Sequence, residues 1–444
     1  MNLLFEKERD IMDYIRLIIS LITLLSCVSM MAQEAVSKDS SLVVSLDEAK
    51  QYAVEHNRTV QNAGLSVKQA EAARWQSIAS MLPQVSGSLG YTNMCGYEMK
   101  LAGMPVPMNP TGELGIKATM TISGQQIVGS LISDLAKDMQ DVAKAKTIQV
   151  IEANVTNVYV NILATQETVE LLRKNMVNLE TLYEMTENAV KVGSAEQIDA
   201  DQLSVQVASM ESAINTTDRT IEVLKSSLQL LLGVDASTEI VLSNKLDDIL
   251  NVDEAMKLLS SELVLEENYD YTLSKQQAEL AKKQVTMKAM EYVPSITGFY
   301  QYSGKTYFGE AEGMNMTPPN TVGVTVSVPI WSSGVRAAGV TEKKLAYQAA
   351  QNTLADTEDQ LRVSDRQYRY DLVSAYDNYQ IQKRNIEVTQ RVFENMSKKF
   401  EYGYASSLDV TNTSTNLITA QQNYIQALTS MVNAHINLKN LLNK

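Results

Sequence analysis

A chain of 444 residues ordinarily holds two or three domains, yet few boundary signals interrupt this one. Hydrophobic residues make up 45% and aromatic ones only 6%, which suits long helices with narrow apolar seams better than a thick globular core. The formal net charge of −14 excludes the basic footprint of a nucleic acid binder and disfavours a polybasic membrane-surface protein. The acidic excess reads either as a solvated surface or as a pore lining.

Residues 17–28 form a mostly apolar run behind Arg16. A spanning helix takes about 20 residues, so this run is too short for one but has the length of a secretory h-region. Residues 1–33 are expected to be a signal peptide, cleaved near Ala32-Gln33. Leu24-Leu25-Ser26-Cys27 also resembles a lipobox, which makes Cys27 a lipidation candidate; Met12 is an alternative start. No later apolar run reaches spanning length. Cys95 is then the only cysteine of the mature chain, which excludes an internal disulfide. His56 and His435 have no second ligand at helical spacing, so no zinc or histidine-dependent catalytic site is expected. With no nucleophile set and no phosphate-binding glycine motif, the chain reads as a non-enzyme without a cofactor.

The chain repeats itself. Asn57 pairs with Asn268 and Pro83 with Pro294 at an offset of 211, while Gly193 pairs with Gly403, Asp199 with Asp409 and Leu232 with Leu442 at 210. The division expected is 34–233 for the first repeat, 234–267 for a connecting segment and 268–444 for the second repeat.

In the first repeat, Ser45-Leu46-Asp47-Glu48 has the form of a capping box, and a helix is predicted from there towards Met81. Pro83 stops it. Val85, Gly87, Leu89 and Tyr91 then alternate with polar residues, predicting a strand over about 83–93. A Gly-, Pro- and Met-rich loop is predicted over 94–112. A second strand follows over about 113–123, with Leu114, Ile116, Ala118, Met120 and Ile122 on one face. In the second repeat, Ile296, Gly298, Tyr300 and Tyr302 share a face of a strand over about 294–304. Val322, Val324, Val326 and Val328 do so over about 320–329, a strong β-branched period of two. These segments have the length of transmembrane β-strands, although a soluble hairpin would alternate in the same way.

Helical seams fill the rest. Ile151, Val155, Val158, Ile162, Thr165, Val169, Leu172, Met176, Leu179, Tyr183, Thr186 and Val190 step by four and three without a break. Leu203 to Leu231 and Tyr424 to Leu442 do likewise, which specifies coiled-coil packing. Each pair of long helices turns at a glycine, Gly193 or Gly403, so each reads as an antiparallel hairpin with a tight tip.

Four strands cannot close a membrane barrel, and an open sheet edge cannot survive in lipid. If the strands enter a membrane, the chain must oligomerise; a dimer supplies eight strands and a trimer twelve.

The duplicated layout, the Pro83 and Pro294 turns, Val328-Pro329-Ile330-Trp331 leading to Gly334, and residues 403–410 with Ser-x-Asp-Val after the glycine together resemble the outer membrane efflux protein family, the TolC-like outer membrane factors. The resemblance covers about residues 45–443. It implies a mixed α and β membrane protein, with four transmembrane β-strands per protomer in a trimeric twelve-stranded barrel that continues into a long α-helical coiled-coil barrel. It implies an outer membrane location reaching into the periplasm and passive work in a tripartite efflux or type I secretion system. Partners would be a periplasmic adaptor and an inner-membrane transporter of resistance-nodulation-division or ABC type. The alternative is a secreted periplasmic coiled-coil scaffold.

The family narrows at its periplasmic end on two acidic positions that match Asp409 and Asn412, with Asp199 and Asp201 adding charge nearby. Asp409 is alternatively a helix-start residue favoured by the dipole. The family's gating Arg and Tyr are Ala405 and Phe400 here, so its closed-state bonds do not transfer. The adaptor would meet Val192, Gly193, Ser194, Ala195 and Ile198 at the first tip and Tyr402, Gly403, Tyr404, Ala405, Ser406 and Leu408 at the second. Met94, Cys95, Met99, Met104, Met108, Met314 and Met316 crowd the two outer loops, as an apolar plug or as soft ligands for copper(I).

Overall fold

The computed structural model describes residues 42–101, 104–249, 257–308 and 318–444. The signal peptide, Cys27, Met314 and Met316 lie outside the described residues. The described backbone divides into a small unit, Leu42 with Ser237–Glu239, and a large one, Val43–Ala236 with Ile240–Lys444. In the small unit the Leu42 N–H donates to the Glu239 carbonyl at 2.8 Å.

Strand β1 (Leu42–Val44) leads into helix α1 (Leu46–His56). Ser45 and Glu48 cap α1 reciprocally, as expected. The single helix predicted towards Met81 is in fact two, because α2 (Arg58–Ala79) restarts at Asn57. There the backbone is extended, and Asn57 Oδ1 accepts from the Thr59 and Val60 N–H groups at 2.8 and 3.4 Å. A short polar side chain that satisfies the backbone itself competes with helix continuation.

Beyond Pro83 come β2 (Gln84–Thr92), β3 (Glu98–Leu101), β4 (Met104–Pro107) and β5 (Thr111–Ile122). The hairpin β3–β4 corrects the reading of 94–112 as one loop. Its prolines, Pro105 and Pro107, fall on a strand that pairs on one side only, where a missing N–H is tolerated.

Helix α3 (Gly124–Lys191) runs for 68 residues, about 102 Å, from a Ser123–Gln126 capping box. Helix α4 (Gln197–Leu232) returns over 36 residues. After β6 (Ile240–Leu242), the short α5 (Leu246–Ile249) and α6 (Tyr269–Ala289), the order recurs: β7 (Ser295–Tyr307), β8 (Asn320–Ser327), α7 (Val335–Glu401, 67 residues) and α8 (Ser407–Leu442, 36 residues).

The recurring asparagines do the same work twice. Asn57 caps α2 while its Nδ2 donates to the Leu231 carbonyl at 2.7 Å, at the end of α4. Asn268 caps α6 while its Nδ2 donates to the Leu441 carbonyl at 3.0 Å, at the end of α8. One side chain thus joins the base of each hairpin to the helix that carries the next strand.

Strands pair in the order β2-β5-β7-β8, all antiparallel. The register puts every apolar set on one face: Val85 opposite Ala118, Leu89 opposite Leu114, Ile116 opposite Tyr302, and Ile296 opposite Val326. The other face carries Ser86, Lys117, Gln301 and Thr321 at matching levels. The apolar face is bare, with Leu89 87% and Val322 80% exposed. Among the described residues the outer edges of β2 and β8 have no strand partner.

One part of the helical core lies at the hairpin bases, with Leu258, Leu372, Ala434, Leu438 and Leu442, and another towards the tips. Leu172, Leu179 and Leu182 of α3, Leu203 and Met210 of α4, Phe393 of α7, and Val410 and Leu417 of α8 form one cluster. Burying each such side chain fully is worth about 1.5–3 kcal/mol. Thr165 and Thr186 sit in the same seam because their hydroxyls donate to the Asn161 and Leu182 carbonyls at 2.6 and 2.8 Å. Among the described residues no helix is long and apolar enough to cross a membrane.

Candidate functional site at the hairpin tips

Each tip is a left-handed glycine closing a helix. Gly193 has φ +75° and Gly403 φ +73°. The Ser194 N–H reaches back to the Ala189 carbonyl at 2.9 Å, and the Tyr404 N–H to the Lys399 carbonyl at 2.8 Å, so both turns satisfy helix-end carbonyls in the same way. The side chains around them face solvent: Val192, Ile198, Tyr402, Tyr404 and Leu408 are all exposed, Tyr404 by 84%. Ala195 and Ala405 are half-buried and Ser194 and Ser406 exposed.

The acidic residues divide. Asp409 is the third residue of a capping box: its Oδ2 accepts from the Ser406 N–H at 2.9 Å and from Ser406 Oγ at 2.7 Å. Those two bonds, the backbone one first, hold its carboxyl below the usual carboxylate range. At the matching place in the first repeat, Glu196 gives α4 no side-chain cap. Asp199 instead accepts from Ser407 Oγ of the other tip at 2.6 Å. Asp201 accepts from Gln197 Nε2 at 2.9 Å, and Asn412 is exposed on the first turns of α8. Asp199 and Ser407 therefore join the two tips, while Asp409, Asn412 and Asp201 remain at the surface of the chain.

Ser407 is the serine of the Ser-x-Asp-Val stretch, but its contact was not singled out by sequence: it is 1% exposed between α4 and α8. Gln202 Oε1 also lies 2.8 Å from its Oγ. One hydroxyl proton cannot serve two acceptors, so the set closes when the Gln202 amide turns its Nε2 towards Oγ. Behind it, Gln206 Nε2 donates to Ser414 Oγ at 2.9 Å, again buried. Further up, Asn175 and Gln390 exchange amide bonds of 3.2 and 3.1 Å between α3 and α7. The missed signal was periodicity. Ser407, Val410, Ser414, Leu417 and Gln421 step by three and four into the Tyr424 seam, and continuing that seam upstream finds both serines. Phe400 packs against the core cluster as a partly buried side chain.

In the outer loops, Cys95 is an exposed free thiol and Met94 and Met99 are exposed. Among the described residues no group of three or more His, Cys, Asp or Glu is placed to hold a metal ion.

The model of the outer membrane efflux protein family matches residues 261–444. Over 414 residues the chain is 23% identical to the pyoverdine export outer membrane protein OpmQ of Pseudomonas aeruginosa, covering 88% of this chain and 84% of that one. It is also 23% identical to the probable outer membrane lipoprotein SilC of Salmonella typhimurium, covering 87% and 83%. Among solved structures, CusC superposes with a TM-score of 0.72 at 17% identity, covering 93% of this chain and 95% of that one. The Campylobacter jejuni CmeC outer membrane channel gives 0.73 at 15%, with 93% of each covered.

Proposed function

Because the chain belongs to the outer membrane efflux protein family, we propose that it works as a homotrimer, its three sheets closing into one twelve-stranded barrel and its hairpins continuing as a helical conduit. The protein is an outer membrane efflux channel that extends into the periplasm. It moves cargo passively, and the energy comes from an inner-membrane transporter of resistance-nodulation-division or ABC type joined through a periplasmic adaptor.

The observation that carries this reading is the sheet. From Gly112 to Ile122 the β5 register crosses the whole apolar face in ten steps, about 34 Å along the strand. At the usual tilt of about 40° that is roughly 26 Å of height, the band a membrane barrel presents to lipid. A bare apolar face of that height, with an open strand edge on each side among the described residues, needs lipid on the face and copies of itself on the edges. A periplasmic scaffold would expose the same face to water, which the sheet disfavours. The matching helix lengths support a duplication with the division 34–233, 234–267 and 268–444.

Val192, Gly193, Ser194, Ala195 and Ile198 of the first tip and Tyr402, Gly403, Tyr404, Ala405, Ser406 and Leu408 of the second are the adaptor-docking surface. Asp409, Asn412, Asp199 and Asp201 line the periplasmic constriction. Neither Ala405 nor Phe400 offers the charge or hydroxyl for the family's closing bonds, so closure here relies on packing and on the Asp199–Ser407 link. Relatives are named for pyoverdine and for toluene; cargo choice belongs to the inner-membrane partner. Two measurements test the reading. Membrane fractions should hold a trimer that heat dissociates on a denaturing gel, and planar bilayers should show channels whose cation preference falls in Asp409→Ala. Recovery as a soluble periplasmic protein would refute it.

A further inference from the structure

The two repeats differ where strand meets long helix. Only Ser123 separates β5 from α3, whereas residues 328–334 separate β8 from α7. The extra loop is built, not slack. Ser333 and Gly334 take consecutive left-handed conformations, φ +48° and +86°. Beneath them Arg336 is only 8% exposed. Its Nη1 donates to the Pro329 carbonyl at 3.0 Å and lies 3.4 Å from the Glu291 carbonyl, and its guanidinium stacks 5.0 Å from the Tyr292 ring centre. The Val335 N–H closes the loop onto the Ser332 carbonyl at 2.9 Å. The Pro329 and Ser332 carbonyls are thus engaged within the loop, and its largest apolar side chains are turned out: Ile330 is 90% and Trp331 84% exposed.

We propose that Ile330 and Trp331 are a lipid anchor, seated at the headgroup boundary of the leaflet nearer the periplasm and held out by Arg336 as a positioning residue. The inference rests on the channel reading and adds to it. Three observations select lipid as the occupant. The loop begins at Val328, which continues the exposed face of Val322, Val324 and Val326. It lies just past the level of Ile296 and Val326, the last apolar pair of the β7–β8 register. At the other end of the band, Tyr91 and Phe308 place their rings 5.9 Å apart, so aromatic residues bracket it on both sides. Indole, apolar with one N–H, favours that boundary. Since the first repeat lacks the loop, each protomer carries one anchor.

The chain has two tryptophans, so Trp75→Phe leaves Trp331 as the sole indole. The full-length protein is reconstituted into phosphatidylcholine vesicles brominated either near the carbonyl end or near the methyl end of the acyl chains. Trp331 emission should be blue-shifted and should lose more intensity to the shallow bromines than to the deep ones. Val324→Trp in a Trp75→Phe, Trp331→Phe background is the control. Val324 lies opposite Gly298 in mid-face, and its indole should be quenched more by the deep bromines. If the control is quenched and Trp331 is not, whether its emission is red-shifted by water or blue-shifted against a neighbouring copy, the anchor is wrong and the channel stands. If neither is quenched, both fall. Arg336→Ala should erase the shallow preference of Trp331; an unchanged preference would remove Arg336 from the proposal.

Discussion

The two hairpin tips use one backbone turn and two different ways of starting the next helix. At the second tip Ser406 and Asp409 cap each other, so α8 begins on its own resources. At the first, Glu196 contributes no side-chain cap, and Asp199 is bonded to Ser407 across the contact. The aspartates occupy matching places, yet one completes its own helix and the other holds a neighbour. Duplication supplied the turn twice; divergence made the first tip dependent on the second. The hairpin bases teach the opposite lesson, since Asn57 and Asn268 keep the same pair of duties.

The largest effect should come from the shared device. Asn57→Ala removes a helix cap, about 1 kcal/mol, and leaves the Leu231 carbonyl without its donor, about 1–3 kcal/mol more. Asn268→Ala should cost the same at Leu441. Denaturant unfolding followed by helical circular dichroism should show both losses at about 2–4 kcal/mol. A large loss in one variant and none in the other would break the equivalence of the two bases.

The next effect sharpens the difference between the tips. Ser407→Ala strands Asp199 and Gln202 in a partly buried contact, worth about 1–3 kcal/mol. Amide exchange should quicken in the first turns of α4 and stay unchanged in α8, which keeps its own cap. Quickening confined to α8 would mean that the link serves the second tip.

What could be read from the chain was what repeats at short range. Strict alternation placed β5 and β8 to within a few residues, and the two glycines marked both tips. Three features escaped for physical reasons. The break at Asn57 lies between two segments that both favour helix, and only the cap bonds mark it. The β3–β4 hairpin is written in Pro, Gly and Met, the composition of a loop, because its strands pair only with each other. The Ser407–Asp199 contact joins positions 208 apart, which the repeat offset of 210 does not point to. The site was legible as an acidic tip, but not as one acid that caps and another that clamps.

A smaller effect should be alike at both tips. Gly193→Ala and Gly403→Ala place a side chain in a left-handed turn with open space around it, so only backbone strain opposes them, about 1–2 kcal/mol. Faster exchange at Ser194 and Tyr404 would report the loosened turns. A wholly silent Gly403→Ala would show that the capping box holds the second tip without its glycine.

The smallest and most local effect is that of pH on the second tip. The carboxyl of Asp409 titrates below its ordinary value because the Ser406 N–H and hydroxyl bind the charged form. A group whose folded pKa lies below the unfolded one stabilises the fold at every pH above the unfolded value and loses that contribution as pH falls through the folded value. The start of α8 should therefore loosen in acid, as pH falls from about 4, where an unperturbed aspartate is half protonated, through the lower folded value. Amide exchange at Leu408, Asp409 and Val410 should rise there in the native protein. In Asp409→Asn the same amides should exchange at a rate that no longer depends on protonation at this site, while the start of α4, which has no such box, keeps its own profile. An Asp409→Asn variant with the native acid response would assign that response to another carboxylate and would leave the charge of Asp409 free for the lumen.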